Sequence, residues 1–430
     1  MANESKHLPT TEEHGPSTEE HGPAGKPFFL SAFPRQVAVR MPKTGETVGR
    51  AWLEEAGILD AKVSREHVCF TRRGGGLQIT DQKSRHGTFV DGYRLDQGRP
   101  TALEDGAILR LGQTLLVYRE DFLGKPEPEQ PLGGLVAPWG LAAIREALRR
   151  LQYRRGLNIL VEGATGTGKE LLAREISARI GRPKTVPINI AAIPRDSFEA
   201  YLFGWERYAF TGSGERNPGM LRSAEGGTVF IDEIEALPLD LQPKLLRFLE
   251  QREVSPLRAN EPLPPVDVAV IAATNRSTQD LLGKDSFRRD LLARFLVRLS
   301  LPPLEERPED IFAIFQARWE AVRGKLDLGA TRVDVEAVEL LMRHSWPENV
   351  RELFRLVECI DPGVGLKHST VQQALGADLE ATGPRKSVPL TREGVDKALA
   401  DCQGNQSHAA KLLKVSRPQL LRWLKRNQNG

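Results

Sequence analysis

"LNILVEGATGTGKELLAREISARI", residues Leu157 to Ile180, decides what kind of fold this chain contains. An apolar run of strand length leads into a loop with glycines at 163, 166 and 168, and Lys169 opens a run of helix-forming residues. Strand, glycine loop and helix in that order predict a phosphate-binding loop. The glycines let the backbone N–H groups of Gly163, Ala164, Thr165, Gly166, Thr167 and Gly168 wrap phosphate oxygens, Lys169 reaches the β and γ oxygens, and the helix N-terminus adds its positive dipole. The general pattern has Ser or Thr after the lysine; Glu170 stands there instead, so the usual hydroxyl ligand of magnesium is missing and the metal must lean on other groups.

Downstream, the apolar runs "TVPINI", "TVFID" and "VDVAVIAAT" alternate with helical stretches, which predicts a parallel sheet covered by helices. In "GGTVFIDEIEALP" a buried strand ends in two carboxylates, Asp232 to hold magnesium and Glu233 to polarise the attacking water. "VIAATN" sets Asn275 at another strand end, where it can orient that water. From about Pro308 strands give way to amphipathic helices that end near Leu375.

Upstream, "QVAVRM", "HVCFT", "LQIT", "GTFV" and "ILRLGQTLLVYR" are short β-rich runs parted by turns, which predicts an all-β sandwich. "GKPEPEQPLGG", Gly124 to Gly134, reads as a linker, and the twice-repeated "TEEHGP" before Pro23 as a disordered tail. The 430 residues suit about three domains, and 40% hydrophobic with 27% charged is ordinary for a water-soluble protein. Neither a signal-peptide pattern nor a span of roughly 20 apolar residues is present, so a cytoplasmic protein without membrane contact is expected. Cys69, Cys359 and Cys402 lie far apart and are expected to be reduced core residues. The net charge of +3 decides little, but from Gly404 onward every charged residue is Lys or Arg, an electrostatic footprint for DNA.

"GATGTGKELLAREI", "INIAAIP", "LFGWERYAFTGS", "EGGTVFIDEIEALPLDLQPKLLRFLEQRE", "IAATN", "FRRDLLARF" and "SWPENVRELFR" follow one another in this chain. Together they resemble the AAA+ ATPase domain of bacterial sigma-54-dependent transcription activators, over about Gly134 to Leu375. The resemblance implies a ring, commonly a hexamer, with ATP and magnesium between subunits. Arg288 and Arg294 match the family's arginine fingers, Arg351 its lid arginine that senses nucleotide, and Asn189 the residue that restrains the catalytic glutamate. "YAFTGS" matches the family's "GAFTGA", the loop that touches sigma-54: Phe210, Thr211 and Gly212 are retained, Tyr208 replaces the first glycine and Ser213 the last alanine.

Two further resemblances flank this domain. "VGR", "VSREH" and "SRHGTFVDG" are similar to the forkhead-associated (FHA) family, which implies a phosphothreonine site built from Arg50, Ser64, Arg65 and Arg85, with His67 bracing the loop and His86 in place of the family's asparagine. A sandwich used only for subunit contacts remains the alternative. "SHAAKLLKVSRPQLLRWLKRNQ" is similar to the Fis-like helix-turn-helix, with Arg417, Gln419, Arg422, Lys425 and Arg426 as DNA contacts.

The expected fold is therefore multidomain, in seven segments: tail 1–26, FHA sandwich 27–121, linker 122–134, α/β AAA+ core 135–304, all-α lid 305–376, linker 377–389 and helix-turn-helix 390–430. The expected function is a sigma-54 activator that binds enhancer DNA, hydrolyses ATP to remodel the RNA polymerase closed complex, and is regulated by a phosphothreonine-containing protein. The alternative is a phosphopeptide-responsive DNA-binding regulator whose altered loop no longer drives open-complex formation.

Overall fold

Alternating apolar residues after Lys26 place one side of each strand inward, and the runs pair into two antiparallel sheets. A computed structural model of the chain describes residues 26–74, 76–209, 215–259, 263–283, 286–326, 328, 333–376, 391–402, 409, 412, 413, 420, 423 and 424. The strands of the first unit are β1 (Lys26–Phe33), β2 (Val37–Val39), β3 (Glu46–Val48), β4 (Val68–Arg73), β5 (Gly76–Asp81), β6 (Thr88–Val90), β7 (Tyr93–Arg94), β8 (Thr101–Leu103), β9 (Ile108–Leu111) and β10 (Thr114–Phe122), with a short helix α1 (Arg50–Glu55). One sheet runs β2-β1-β10-β9-β6-β7 and the other β3-β4-β5-β8. Phe29, Trp52, Phe70, Leu109, Leu116 and Tyr118 fill the space between them.

The central unit is a five-stranded sheet, parallel throughout: β11 (Asn158–Glu162), β12 (Thr185–Asn189), β13 (Thr228–Asp232), β14 (Ala269–Thr274) and β15 (Val297–Ser300), ordered β12-β13-β14-β11-β15. Both faces are apolar. Val229, Ile231, Val270 and Ala272 pack on one side, Ile159, Val161, Phe230 and Ile271 on the other, as a sheet covered by helices on both faces requires. The covering helices are α2 (Ala142–Arg150), α3 (Lys169–Arg179), α4 (Phe198–Phe203), α5 (Gly219–Ser223), α6 (Gln242–Gln251), α7 (Thr278–Leu282) and α8 (Arg289–Ala293). The lid follows as α9 (Pro308–Arg323), α10 (Val335–Arg343), α11 (Val350–Cys359) and α12 (His368–Leu375). Beyond it α13 (Arg392–Asp401) packs Val395 and Ala398 against Ala409 and Leu420 in a small separate core.

Two features depart from the sequence reading. The sandwich and the lid are not separate cores: Ala32, Phe33, Ile108, Leu115 and Val117, on the outer face of the larger sheet, share one core with Ile311, Phe312, Phe315, Val338 and Met342 of the lid. The stretch read as a linker is also anchored, with Leu132 buried against the central sheet's core and Ala38 N–H donating to Pro126 O at 3.3 Å. The cysteines correct a third expectation. All three are free, but Cys359 is exposed at the end of α11, and Cys69 and Cys402 are only half-buried; Cys69 sits between the inward-facing Val68 and Phe70 and so points to the other side of its strand.

Candidate nucleotide site and flanking recognition surfaces

The C-terminal ends of β11, β13 and β14 meet at the point where the strand order reverses, which is where parallel α/β sheets bind ligands. Lys169, the first residue of α3, donates from Nζ to Asn275 Oδ1 (2.5 Å), Gly163 O (2.8 Å) and Ala164 O (3.2 Å). So the loop lysine and the strand-end amide are already in contact. Burial lowers the Lys169 ammonium below its ordinary range, against the pull of Asp232, Glu235 and Glu233. Burial raises the Asp232 carboxyl above its ordinary range, opposed by the Glu233 N–H, 3.0 Å from Oδ1, and by Lys169. Glu233 itself is held at φ 54, a left-handed conformation that costs a non-glycine residue on the order of 1–2 kcal/mol and that clusters at functional sites.

The loop is shaped for a phosphate chain. At Gly166, with φ 77, an added Cβ would stand 2.1 Å from Glu348 O of the lid, so backbone alone fits between the lid and the site. The N-terminus of the eleven-residue α3 faces the same place. Among the described residues no group of three or more His, Cys, Asp or Glu forms a metal cage. Asp232, a half-buried carboxylate, suits magnesium, which is commonly held by one or two carboxylates together with substrate phosphates. Glu170 does not join it: its side chain is exposed and pairs with Arg174 at 2.6 Å, one turn along α3.

Asn189 lies directly opposite Asp232 in the β12–β13 ladder and accepts from Ala192 N–H at 3.3 Å. Arg351, in the first turn of α11, has its Cβ 3.3 Å from where a Gly166 side chain would begin. Arg288 and Arg294 are exposed and paired with Asp290 (2.7 Å) and Glu250 (2.7 Å), on the two flanks of α8. Two residues escaped the sequence reading. Glu235 accepts from Asn275 N–H at 3.0 Å, and its other carboxylate oxygen is buried without a hydrogen-bond partner among the described residues. Asn349 of the lid donates to Thr165 O (2.9 Å) and accepts from Leu304 N–H (2.7 Å), while Val350 N–H donates to Gly166 O (3.1 Å). The sequence signal for Asn349 lies in "SWPENVRELFR", two residues before Arg351.

Four family models match in register with these units: the FHA domain over residues 47–112, the sigma-54 interaction domain over 140–300, the AAA+ ATPase lid domain over 305–362, and the bacterial regulatory protein, Fis family, over 392–426. The chain thus carries a sigma-54 interaction domain and its AAA+ lid between an FHA domain and a Fis-family segment. It is 38% identical over 274 residues to the response regulator protein FleR of Pseudomonas aeruginosa, covering 59% of this chain and 58% of that protein. It is 42% identical over 222 residues to the DNA-binding transcriptional regulator NtrC of Rhizobium meliloti, covering 50% and 45%. The chain thus spans about half the length of these curated relatives. Among solved structures, NtrX from Brucella abortus is 27% identical with a TM-score of 0.49, covering 69% of this chain and 70% of that one.

The FHA loops converge on one end of the sandwich. His67 is fully buried: Nδ1 accepts from Ser64 N–H (3.0 Å) and Nε2 lies 3.3 Å from Gly87 O, so the ring bridges the two loops that carry Ser64 and His86. Desolvation holds it below its ordinary pKa, in the neutral form that this bridging needs. Ser64 Oγ accepts from Arg85 N–H at 3.2 Å, and Asp81 fixes the second loop by accepting from Ser84 Oγ and Thr88 Oγ1, both at 2.6 Å. Arg65, Arg85 and His86 are exposed beside one another's loops. The Arg50 guanidinium donates to Val63 O (3.2 Å) and Ala61 O (3.0 Å), which leaves it bracing the first loop from below.

Tyr208 of "YAFTGS" is 71% exposed and takes φ 62. This is a left-handed conformation that a glycine adopts freely and that a tyrosine adopts only with strain. Phe210, Thr211, Gly212 and Ser213 lie outside the described residues, as do Arg417, Gln419, Arg422, Lys425 and Arg426 of the C-terminal segment. No helix among the described residues is long and apolar enough to cross a membrane.

Proposed function

We propose that this chain is a sigma-54 activator that binds ATP at the C-terminal ends of β11, β13 and β14, hydrolyses it between subunits of a ring, and uses the cycle to remodel the sigma-54 RNA polymerase closed complex on DNA held by its C-terminal segment. The observation that carries the reading is the strained Glu233 next to Asp232, on the strand beside Asn275 and its bonded partner Lys169. Lys169 and the N–H groups of residues 163–168 bind the β and γ phosphates, with Glu170 outside that set. Magnesium supplies charge neutralisation on those phosphates when bound, with Asp232 as its protein ligand. Glu233 takes the proton of the attacking water, Asn275 orients that water, and Asn189 beside Asp232 holds Glu233 back until the ring engages its partner. Arg288 and Arg294, solvent-exposed on α8, are free to exchange Asp290 and Glu250 for the γ-phosphate of a neighbouring subunit, and Arg351 reports lid position.

At the other end, Arg50, Ser64, Arg65, Arg85 and His86 take a phosphothreonine of a partner protein. Tyr208, Phe210, Thr211 and Gly212 contact sigma-54. The left-handed backbone at Tyr208, a conformation a glycine there would adopt freely, supports this reading over one in which the loop has lost its partner. The test is open-complex formation by purified sigma-54 polymerase with this protein, a template carrying its binding site, and ATP. Normal ATP hydrolysis without open complexes would leave a DNA-binding ATPase and remove the remodelling step.

A further inference from the structure

The outer face of an FHA sandwich has no reason to be apolar unless something covers it, and here the lid does. Ile108, Leu115 and Val117 pack against α9 and α10, with Phe33 edge-on to Phe312 at 5.1 Å between ring centres. Two arginines of the same face reach across. Arg119 forms a bidentate pair with Glu309 (3.0 and 2.5 Å) and donates to Glu306 O (2.7 Å); Arg110 pairs with Glu339 (2.9 Å) and Glu336 (3.1 Å). Glu309 and Glu339 are almost wholly buried, so each needs its arginine.

The contact continues toward both sites. Arg110 lies 3.7 Å over the ring of Phe89, in β6, the strand that directly follows the Arg85–His86 loop. The turn after β6 meets α10: an added Cβ at Gly92, φ 79, would stand 2.1 Å from Arg343 Nη1, and the Arg343 guanidinium sits 5.4 Å over Tyr93. Arg343 is the last residue of α10. From there the chain makes a tight turn, with Trp346 edge-on to His344 at 4.6 Å between ring centres and donating to Leu341 O, and reaches Asn349 and Val350, whose bonds to Thr165 O and Gly166 O hold the phosphate loop. Asn349 is buried in a left-handed conformation, φ 55, a strained residue at the contact between lid and phosphate loop.

We propose that the FHA domain is a docked component of the ATPase lid, and that its contact at Gly92, Tyr93 and Arg110 sets how the lid's Asn349 grips the phosphate loop and therefore how tightly nucleotide binds. The inference rests on the nucleotide-site reading, and it makes the lid the element whose two positions both sites bias. Reciprocity then requires that occupancy of the Arg85–His86 loop and of the phosphate loop alter one another by the same factor.

A specific protease site placed after Lys125 in the full chain allows the FHA piece to be cut from the rest, and ADP is the probe at the phosphate loop. The cut wild type should stay together on a sizing column, and Arg110→Glu with Arg119→Glu should release the FHA piece. That release should change the dissociation constant for ADP at least about fivefold, a coupling of ordinary size. Arg343→Ala, which leaves the ion pairs in place, should shift ADP affinity in the same direction without release. Adding Glu339→Arg and Glu309→Arg to the reversed arginines should restore both association and affinity. Release with unchanged ADP affinity would overturn the coupling, and failure of the reversed chain to release would overturn the docking. A wild type that does not bind ADP would take the nucleotide-site reading down with it, a result separable from the others because association of the cut pieces needs no nucleotide.

Discussion

At Glu233 the backbone pays a local strain to aim one carboxylate. A φ of 54 persists only where the surroundings determine it, and the neighbouring carboxylate of Asp232 is fixed by accepting the Glu233 N–H. Glu233→Gln keeps the shape and removes the base, so ATP should still bind while hydrolysis falls by about 100-fold or more. Single-turnover hydrolysis beside ADP and ATP affinities measures both; turnover near the wild-type rate would transfer the base role elsewhere, with Glu235 the next carboxylate to examine. A different carboxylate should make the seat of α9 on residues 139–140 pH-sensitive. Asp310 accepts from Trp139 N–H (2.9 Å) and Gly140 N–H (3.0 Å), and burial, with the charge of Glu309, pushes it up to about 7 in spite of Arg307. Its folded pKa is thus above the unfolded value near 4, and the folded chain keeps a proton that the unfolded chain releases. The stability due to this group is full below about pH 4 and declines as pH rises to about 7. Measured in urea at pH 5 and pH 7, wild type should lose stability relative to Asp310→Asn by an amount on the order of a few kcal/mol, since each pH unit in the window is worth about 1.4 kcal/mol. An equal pH response in the two proteins would remove the assignment.

The phosphate loop and the lid form a joint between elements, and Gly166 is its narrowest point. Alanine there meets two obstacles: φ 77, and Glu348 O at 2.1 Å. Gly181 has a similar φ of 72 with nothing within 4 Å, so Gly181→Ala isolates the conformational cost, roughly 1 kcal/mol, from the collision. Gly166→Ala should lower ATP affinity tenfold or more and displace the lid, whereas Gly181→Ala should cost only stability, as titration calorimetry and thermal melting would show. Most of this joint was legible. The strand–loop–helix pattern located Lys169, Asp232, Glu233 and Asn275 because sheet topology brings strand ends together whatever the loops do. Asn349 was harder to read, since its importance lies in a left-handed turn and two backbone contacts that leave no pattern in hydrophobicity or charge. The sharing of a core between β9–β10 and the lid did leave a trace. "LLVY" in an antiparallel strand puts Leu115 and Val117 on one face and Leu116 and Tyr118 on the other, and a sandwich strand apolar on both faces must be covered on both.

Across the whole molecule, that shared core means that the same residue should be valued oppositely in the part and in the whole. In the full chain Val117 is buried between the sandwich and the lid, so Val117→Lys places an ammonium among Phe312, Ile311 and their neighbours with no acceptor of its own. The cost should exceed about 2 kcal/mol, and the FHA unit and the lid should both melt earlier. In a fragment of residues 26–122 the lid is missing, and Ile108, Leu115 and Val117 form an exposed apolar face of the kind that drives self-association. There Val117→Lys should improve solubility and lower light scattering while leaving the inner core of Phe29, Phe70 and Leu116 untouched. Measured side by side, the one substitution is expected to destabilise the full chain and to rescue the fragment. If it were harmless in the full chain, the sandwich would be an appended reader rather than part of the lid, and the ion pairs of Arg110 and Arg119 would be surface contacts of the kind that contribute little.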